Sequence, residues 1–354
     1  MNVESPPVVL YNSPQNSAGA ILTGQLLLNV REPHVTIEEF GMKLLAIVTT
    51  KKPLVRHCDD CTSQTTTIHR WDFLIRPTAL RYGQHIYPFS HLLPGHLPAT
   101  THGRLATLDY CLSAVATASK GDKITYQRAV DIRRAILPGD EKHSIRLFPP
   151  TNLTALAKLP SVIHSNGEIG IEMRLSGTVQ NKADLQTRWR LWKLNWRIEE
   201  TQRSIAPACS RHSSKVIGGG RDICHKDVRV IARGVVKSDW KTDFERGEID
   251  VAFNAACNVA LKPLCDMACQ TGMSVKHSLV VEMVVAKERA SLQKLSQATA
   301  TGVACVLCTQ FHLVLTERPG MGIAWVEEQP PIYEDVPAGP PAYTRRCRAS
   351  DFYS

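Results

Sequence analysis

No run of apolar residues in this chain is long enough to cross a bilayer. The longest, "LLAIV" at 44–48 and "VACVLC" at 303–308, fall far short of the roughly 20 residues that a spanning helix needs. The first thirty residues also lack a basic start followed by an unbroken apolar stretch, so no secretory signal is read there. Catalytic signatures are missing too. There is no Gly-x-Ser-x-Gly elbow, no His-Glu-x-x-His pair and no phosphate loop, and the "GGG" at 218–220 does not lead from a strand into a helix. The expectation is a protein that is not an enzyme and needs no cofactor. An even, spaced set of cysteines is likewise absent: the eleven present are scattered, which suits reduced thiols rather than a disulfide framework. Cytoplasmic placement follows as an expectation, with the acceptor triplet Asn152-Leu153-Thr154 left unmodified.

The chain has 354 residues, 43% of them hydrophobic and 21% charged, enough to bury a substantial core. Its net charge of +9 is unevenly spread. Residues 325–343 carry Glu327, Glu328, Glu334 and Asp335 with no Lys or Arg, and the last eleven residues return +2, which leaves +11 on residues 1–324. A basic body favours acidic partners: anionic lipid, nucleic acid or an acidic protein segment.

The dominant periodicity is two, the mark of half-buried strands. Leu22, Leu26, Leu28 and Val30 share one face of their segment, as do Leu108, Tyr110, Leu112 and Ala114. Ile169, Ile171, Met173 and Leu175 form the clearest case, and Val275, Leu279, Val281, Met283 and Val285, then Phe311, Leu313 and Leu315, repeat it. Turn signals at 92–98, 137–142, 165–168 and 217–222 separate these runs. No long capped helix stands out. Many short strands with Gly and Pro between them predict an all-β fold of sandwiches. In "RWRLWKLNWRIEE", Trp189, Trp192 and Trp196 also fit a helical stripe. A strand is preferred, by aromatic propensity and by its neighbours, with Trp192, Leu194, Trp196 and Ile198 on its apolar face.

Residues 148–160, rich in proline and polar residues, suggest a boundary, and periodicity stops after Thr316. The division expected is a first sandwich over 1–155, a second over 156–316 and an extended tail over 317–354. That tail spells Pro-Pro-x-Tyr twice, as Pro330, Pro331, Tyr333 and as Pro340, Pro341, Tyr343. Paired prolines preset a polyproline-II backbone, which the aromatic groove of a WW domain grips with little entropy lost. Two copies on one tether suit a partner with several WW domains.

Sandwiches followed by such a tail resemble the α-arrestins. The stretches "ESPPVVLYNSP", "YPFSHLLPGHLPAT", "RWRLWKLNWRIEE" and "TERPGMGIAWVEEQPPIYEDVP" look like those of the fungal arrestin-related trafficking adaptors, over both sandwiches and the tail. What the resemblance implies is an arrestin fold and a cytosolic adaptor. The tail would recruit a HECT-type ubiquitin ligase through its WW domains. The body would recognise a plasma-membrane transporter, often an amino-acid permease, for ubiquitin-dependent endocytosis, with recruitment to plasma membrane and endosomes. An arrestin-fold scaffold that uses WW domains in signalling or sorting without ubiquitin transfer is the alternative.

Arg188, Arg190, Lys193 and Arg197 form the densest basic cluster, either a cargo or anionic-lipid patch or the solvated face of a strand backed by tryptophans. Nucleic-acid binding has charge alone in its favour, and no nucleic-acid partner is expected. Cys58-x-x-Cys61, with His57 beside it and His69 downstream, is half of a zinc pattern, which usually takes two such pairs. No second pair lies nearby, although Cys209 with His212, and Cys224 with His225, could form another partial cluster. No metal centre is expected, and Cys58 and Cys61 are kept as the weak zinc candidate. Cys305-x-x-Cys308 falls in a strand pattern and reads as core.

Overall fold

The computed structural model describes residues 1–3, 8–212 and 222–318, and the compact body ends at Arg318. Strands dominate it, as expected, and the only α-helix among the described residues is the single turn Asp59–Thr62.

One strand, Ala20–Thr50, serves both layers of the first half. Residues 20–37 pair antiparallel with Thr78–Leu93, residues 40–49 with Ser63–Leu74, and residues 37–50 with Ala106–Ala118. Its register shifts between Val30 and His34, an irregularity of the kind that bends a strand. Leu22, Leu26 and Val30 before the shift, and Met42, Leu44 and Val48 after it, therefore meet in one core with Leu108, Tyr110 and Leu112.

The second half has two sheets. One runs Lys142–Leu147, Thr154–Leu159, Glu168–Ser176, Glu248–Ala256 and Lys241–Asp243. In the other, Leu185–Pro207 pairs with Asp222–Val236 and with Ser274–Ser291, and Lys294–Leu313 lies beyond. Ile169, Ile171, Met173 and Leu175 of the first pack with Leu279, Val281, Met283 and Val285 of the second, none of them more than 4% exposed. Burying each such side chain contributes roughly 1.5–3 kcal/mol. Phe148, Leu153 and Ala155 belong to this second core, whereas Met267, Met273 and Val275 return to fill the first. The halves thus share packing. They are joined by hydrogen bonds too: Thr316 Oγ1 donates to the Arg134 carbonyl and accepts from the Ile136 amide, each at 3.0 Å.

The tryptophan segment is a strand, but its face needs correcting. Trp189 and Leu191 point inward, and so do Leu194, Trp196 and Ile198. Trp192 is 62% exposed. The register against Ser274–Ser291 slips between Leu191 and Lys193, so Trp192 is the extra residue of a β-bulge and the inward phase resets by one. Trp196 lies across Gly234 of the neighbouring strand, where any Cβ would fall 2.5 Å from the indole. The expectation for Cys305 and Cys308 is half right: Cys305 packs on the core, and Cys308 is exposed.

Candidate functional site

The six residues of the two Pro-Pro-x-Tyr copies, Pro330, Pro331, Tyr333, Pro340, Pro341 and Tyr343, lie outside the described residues. The basic cluster of the tryptophan strand is described, and most of its charge is already matched. Arg188 Nε sits 3.1 Å from Glu288, both side chains nearly buried, with the guanidinium over the Phe244 ring. Arg190 reaches the same carboxylate at 3.5 Å. Arg197 is held between Glu199 at 2.7 Å and Glu282 at 2.6 Å, and these hydrogen bonds raise its pKa further above the usual arginine range. Such pairs, cross-strand for Glu288 and Glu282 and within one strand for Glu199, stabilise a sheet face and leave the arginines little net field for a partner. What stays exposed there is Trp192 at the bulge, with Arg190 before it.

Unmatched positive charge gathers elsewhere. A cavity of about 500 Å³ is lined by Arg146, Arg203, Lys226, Lys276 and His312 together with Ser274, Ser278, Thr201, Gln310 and His277, and by no carboxylate. The strand period explains the gathering: Arg203, Lys226 and Lys276 stand near one another on three adjacent strands, where Arg203 pairs with Lys226 and Thr201 with Lys276. Arg146 comes from another strand, its guanidinium over Phe311. Like charges directly opposite each other weaken a sheet, so this arrangement suits an anionic occupant. Sequence reading missed it because the residues are spread over 146–312 and converge only through strand pairing.

Next to the cavity is a buried polar network. Glu200 is fully buried, and its carboxylate accepts from Arg229 at 2.8 and 2.9 Å, from Gln202 at 2.7 Å and from the Leu264 amide at 2.9 Å. Burial alone would push its pKa up. The nearby His277, with hydrogen bonds from Arg229, the Leu264 amide and Gln202, outweighs that and holds the carboxyl at about 2. His277 stands between Asp266, 2.5 Å from Nδ1, and Glu200, 3.5 Å from Nε2. Burial works against its charged form, and the two carboxylates raise its pKa regardless. Gln202 carries the network to the first half, where its Oε1 accepts from the Arg104 amide at 2.7 Å.

The cysteine candidates do not stay apart. Cys58, Cys61, Cys209 and His212 offer ligand atoms that all lie within 4.8 Å of one another. Cys58 Sγ is 3.9 Å from Cys209 Sγ, and His212 Nδ1 is 3.5 Å from Cys61 Sγ and 3.2 Å from Cys209 Sγ. Burial opposes ionisation of Cys209, but hydrogen bonds from Cys61, the Arg211 backbone, His212 and Cys58 bring its thiol down to about 6. His57, His69, Cys224 and His225 take no part in this group. The usable signal was the matching spacing of the two pairs, Cys-x-x-Cys and Cys-x-x-His. Their separation along the chain hid that they are one cluster.

Comparison with known proteins gives the chain relatives. A family model described as "LDB19: Arrestin_N terminal like" matches residues 40–216. An uncharacterized protein of Schizosaccharomyces pombe is 32% identical over 99% of this chain and 90% of its own length. The LDB19 protein of Eremothecium gossypii is 34% identical over 61% of this chain, which spans 33% of that protein. Among solved structures, squid arrestin aligns with 90% of this chain and 94% of its own at 10% identity, with a TM-score of 0.43.

Proposed function

We propose that this chain, which belongs to the LDB19 family of arrestin N-terminal-like proteins, is an adaptor whose tail recruits a WW-domain ubiquitin ligase and whose body holds the cargo. Family membership supports the arrestin-type adaptor role. The ligase half of the reading is carried by one observation, the duplicated Pro-Pro-x-Tyr at 330–333 and 340–343. The cargo is a plasma-membrane transporter, an amino-acid permease by resemblance, and the protein works at the cytoplasmic face of plasma membrane and endosomes. No helix of the described residues is long and apolar enough to cross a membrane, so attachment there would be borrowed from the partner or the lipid surface. Within the body, two sandwich domains correspond to the two cores. The carboxylate-free cavity at Arg146, Arg203, Lys226 and Lys276 is the surface we assign to an acidic cargo segment, in preference to the cluster at Arg188, Arg190, Lys193 and Arg197, whose arginines are already ion-paired.

The test is binding of the full chain to a tandem WW-domain protein taken from a HECT ligase. Tyr333→Ala and Tyr343→Ala should each weaken binding, by at least about tenfold if both motifs engage together, and the double variant should abolish it. Binding indifferent to both tyrosines would overturn the ligase-adaptor reading. Loss of WW binding in the double variant with no change in transporter turnover would favour the scaffold alternative.

A further inference from the structure

The two ligand pairs of the thiol cluster are built alike. The Cys61 amide donates to the Cys58 carbonyl at 3.1 Å, and the His212 amide donates to the Cys209 carbonyl at 2.9 Å. Each pair therefore closes the same four-residue turn, which brings side chains i and i+3 to one side. Thr62 adds two more bonds to the Cys58 carbonyl, from its amide at 3.0 Å and from Oγ1 at 2.8 Å. Cys58 and Cys61 are buried, while Cys209 and His212 are half-buried.

We propose that Cys58, Cys61, Cys209 and His212 hold one zinc ion that staples the two halves of the body. A tetrahedral site with Zn–S near 2.3 Å and Zn–N near 2.0–2.1 Å puts sulfurs about 3.8 Å apart and sulfur about 3.6 Å from nitrogen. The observed 3.9 Å between Cys58 and Cys209, and 3.5 Å between Cys61 and His212, match those edges, and the 3.2 Å between Cys209 and His212 would have to open slightly on binding. A disulfide does not fit, since its sulfurs would stand about 2.05 Å apart. Four ligands with no open position make a structural site, and a donor set of three thiolates and an imidazole selects zinc over hard cations. On binding, each sulfur that still carries a proton releases it to solvent, and His212 contributes the Nδ1 lone pair with its proton on Nε2. Three thiolates and Zn²⁺ leave one negative charge. Arg211, paired to Asp60 at 2.7 Å, lies in the field of Cys58 and Cys209 and offsets it.

The placement gives the ion a task. Cys58 and Cys61 sit on the helical turn before the Ser63–Leu74 strand of the first half. Cys209 and His212 follow the end of the Leu185–Pro207 strand, whose body belongs to the second sandwich. The two pairs are 151 residues apart in the chain. An ion held there closes a long loop across the junction and stabilises the folded chain over the unfolded one.

The experiment is metal analysis of the full chain, purified under reductant without chelator, followed by cobalt titration of the stripped protein. The expected result is about one zinc per chain and, with Co²⁺, the visible bands of a tetrahedral thiolate site, bleached by added zinc. Cys61→Ser and Cys209→Ser should lower metal content to background, while Cys308→Ser, an exposed thiol elsewhere, should keep it. Should the serine variants fail to fold, His212→Cys decides: it should still bind and should strengthen the thiolate-to-cobalt charge-transfer band. No zinc and no cobalt bands in the unaltered chain would overturn the proposal. So would metal retained by the Cys61→Ser/Cys209→Ser double variant, or a Cys58–Cys209 disulfide found by thiol-alkylation mass spectrometry on the reductant-treated chain.

Discussion

Two polar clusters in this body tie distant segments together, and they differ in how their charge is closed. Around Glu200, each anionic oxygen meets donors supplied by the chain itself: the Arg229 guanidinium, the Gln202 amide and the Leu264 backbone. At Cys58, Cys61, Cys209 and His212, the four converging groups are all electron-pair donors. A carboxylate can be buried when matched donors surround it. Thiols and an imidazole facing one another can offer only their own few protons, and a cation brought from outside would complete that complement. The first cluster should therefore respond to mutation and pH, and the second to metal.

The largest expected effect breaks the self-sufficient side. Glu200→Leu leaves Arg229 without its carboxylate in a mostly buried setting, while the Leu264 amide loses its acceptor and His277 one of its two carboxylates. Removing one partner of such a pair costs about 3–5 kcal/mol, read as a lower midpoint in urea unfolding. Adding Arg229→Leu should recover part of the loss, because the stranded guanidinium is gone. A Glu200→Leu chain as stable as the original would mean that the network contributes nothing beyond a hydrophobic filling.

A smaller effect sharpens the comparison through pH. Glu200, held at about 2 against an ordinary value of 4.5, contributes stability above the ordinary value and loses it as pH falls toward 2. His277, raised above 6.5, contributes below its unfolded value and loses that contribution as pH rises through the folded one. A tenfold difference in proton affinity between the folded and unfolded chain is worth about 1.4 kcal/mol. Asp266 and Glu200 are the charges that govern His277, and His312 lies 3.9 Å from the far side of Asp266. The alkaline side separates the clusters, since zinc ligands lose their metal in acid rather than in base. A melting-temperature scan from neutral pH upward should fall more steeply for the original chain than for His277→Gln. Parallel curves would show that His277 is not charged in the folded protein.

The contrast also marks what could be read before folding. Alternation carried the sandwich cores, because a strand with one apolar face writes its burial into every second residue; Ile169 through Leu175 needed nothing else. Trp192 broke that rule because a bulge is a property of the pairing between two strands, and neither strand alone encodes the slip. The four ligands of the thiol cluster were visible only as separate pairs, since their meeting depends on how the end of the tryptophan strand folds back on the first half. The basic cavity was hidden for the same reason, its charges being brought side by side by register. Sequence reading instead singled out Arg188, Arg190, Lys193 and Arg197, as a cargo or lipid patch or as the solvated face of a strand. These are dense along the chain, and the three arginines are matched by Glu288 and Glu282 on the neighbouring strand and by Glu199 on their own.

The smallest effect tests whether the thiol cluster is held by its ligands or by the chain around it. Arg211 and Asp60 form the one ion pair joining its two segments among the described residues, and both side chains are well exposed. Solvent screens such a pair, and exposed ion pairs add little to folding. Arg211→Ala should therefore leave the thermal midpoint of the metal-loaded chain within experimental error. Its residual charge role should emerge on stripping, because the cation offsets the negative charge of a three-thiolate site. The variant should give up cobalt to a competing chelator somewhat more readily than the original chain, and more so at low salt. If Arg211→Ala instead lowers the midpoint as far as stripping the metal does, the segments are joined by that surface pair, and the ligand groups are passengers in a turn the chain already closes.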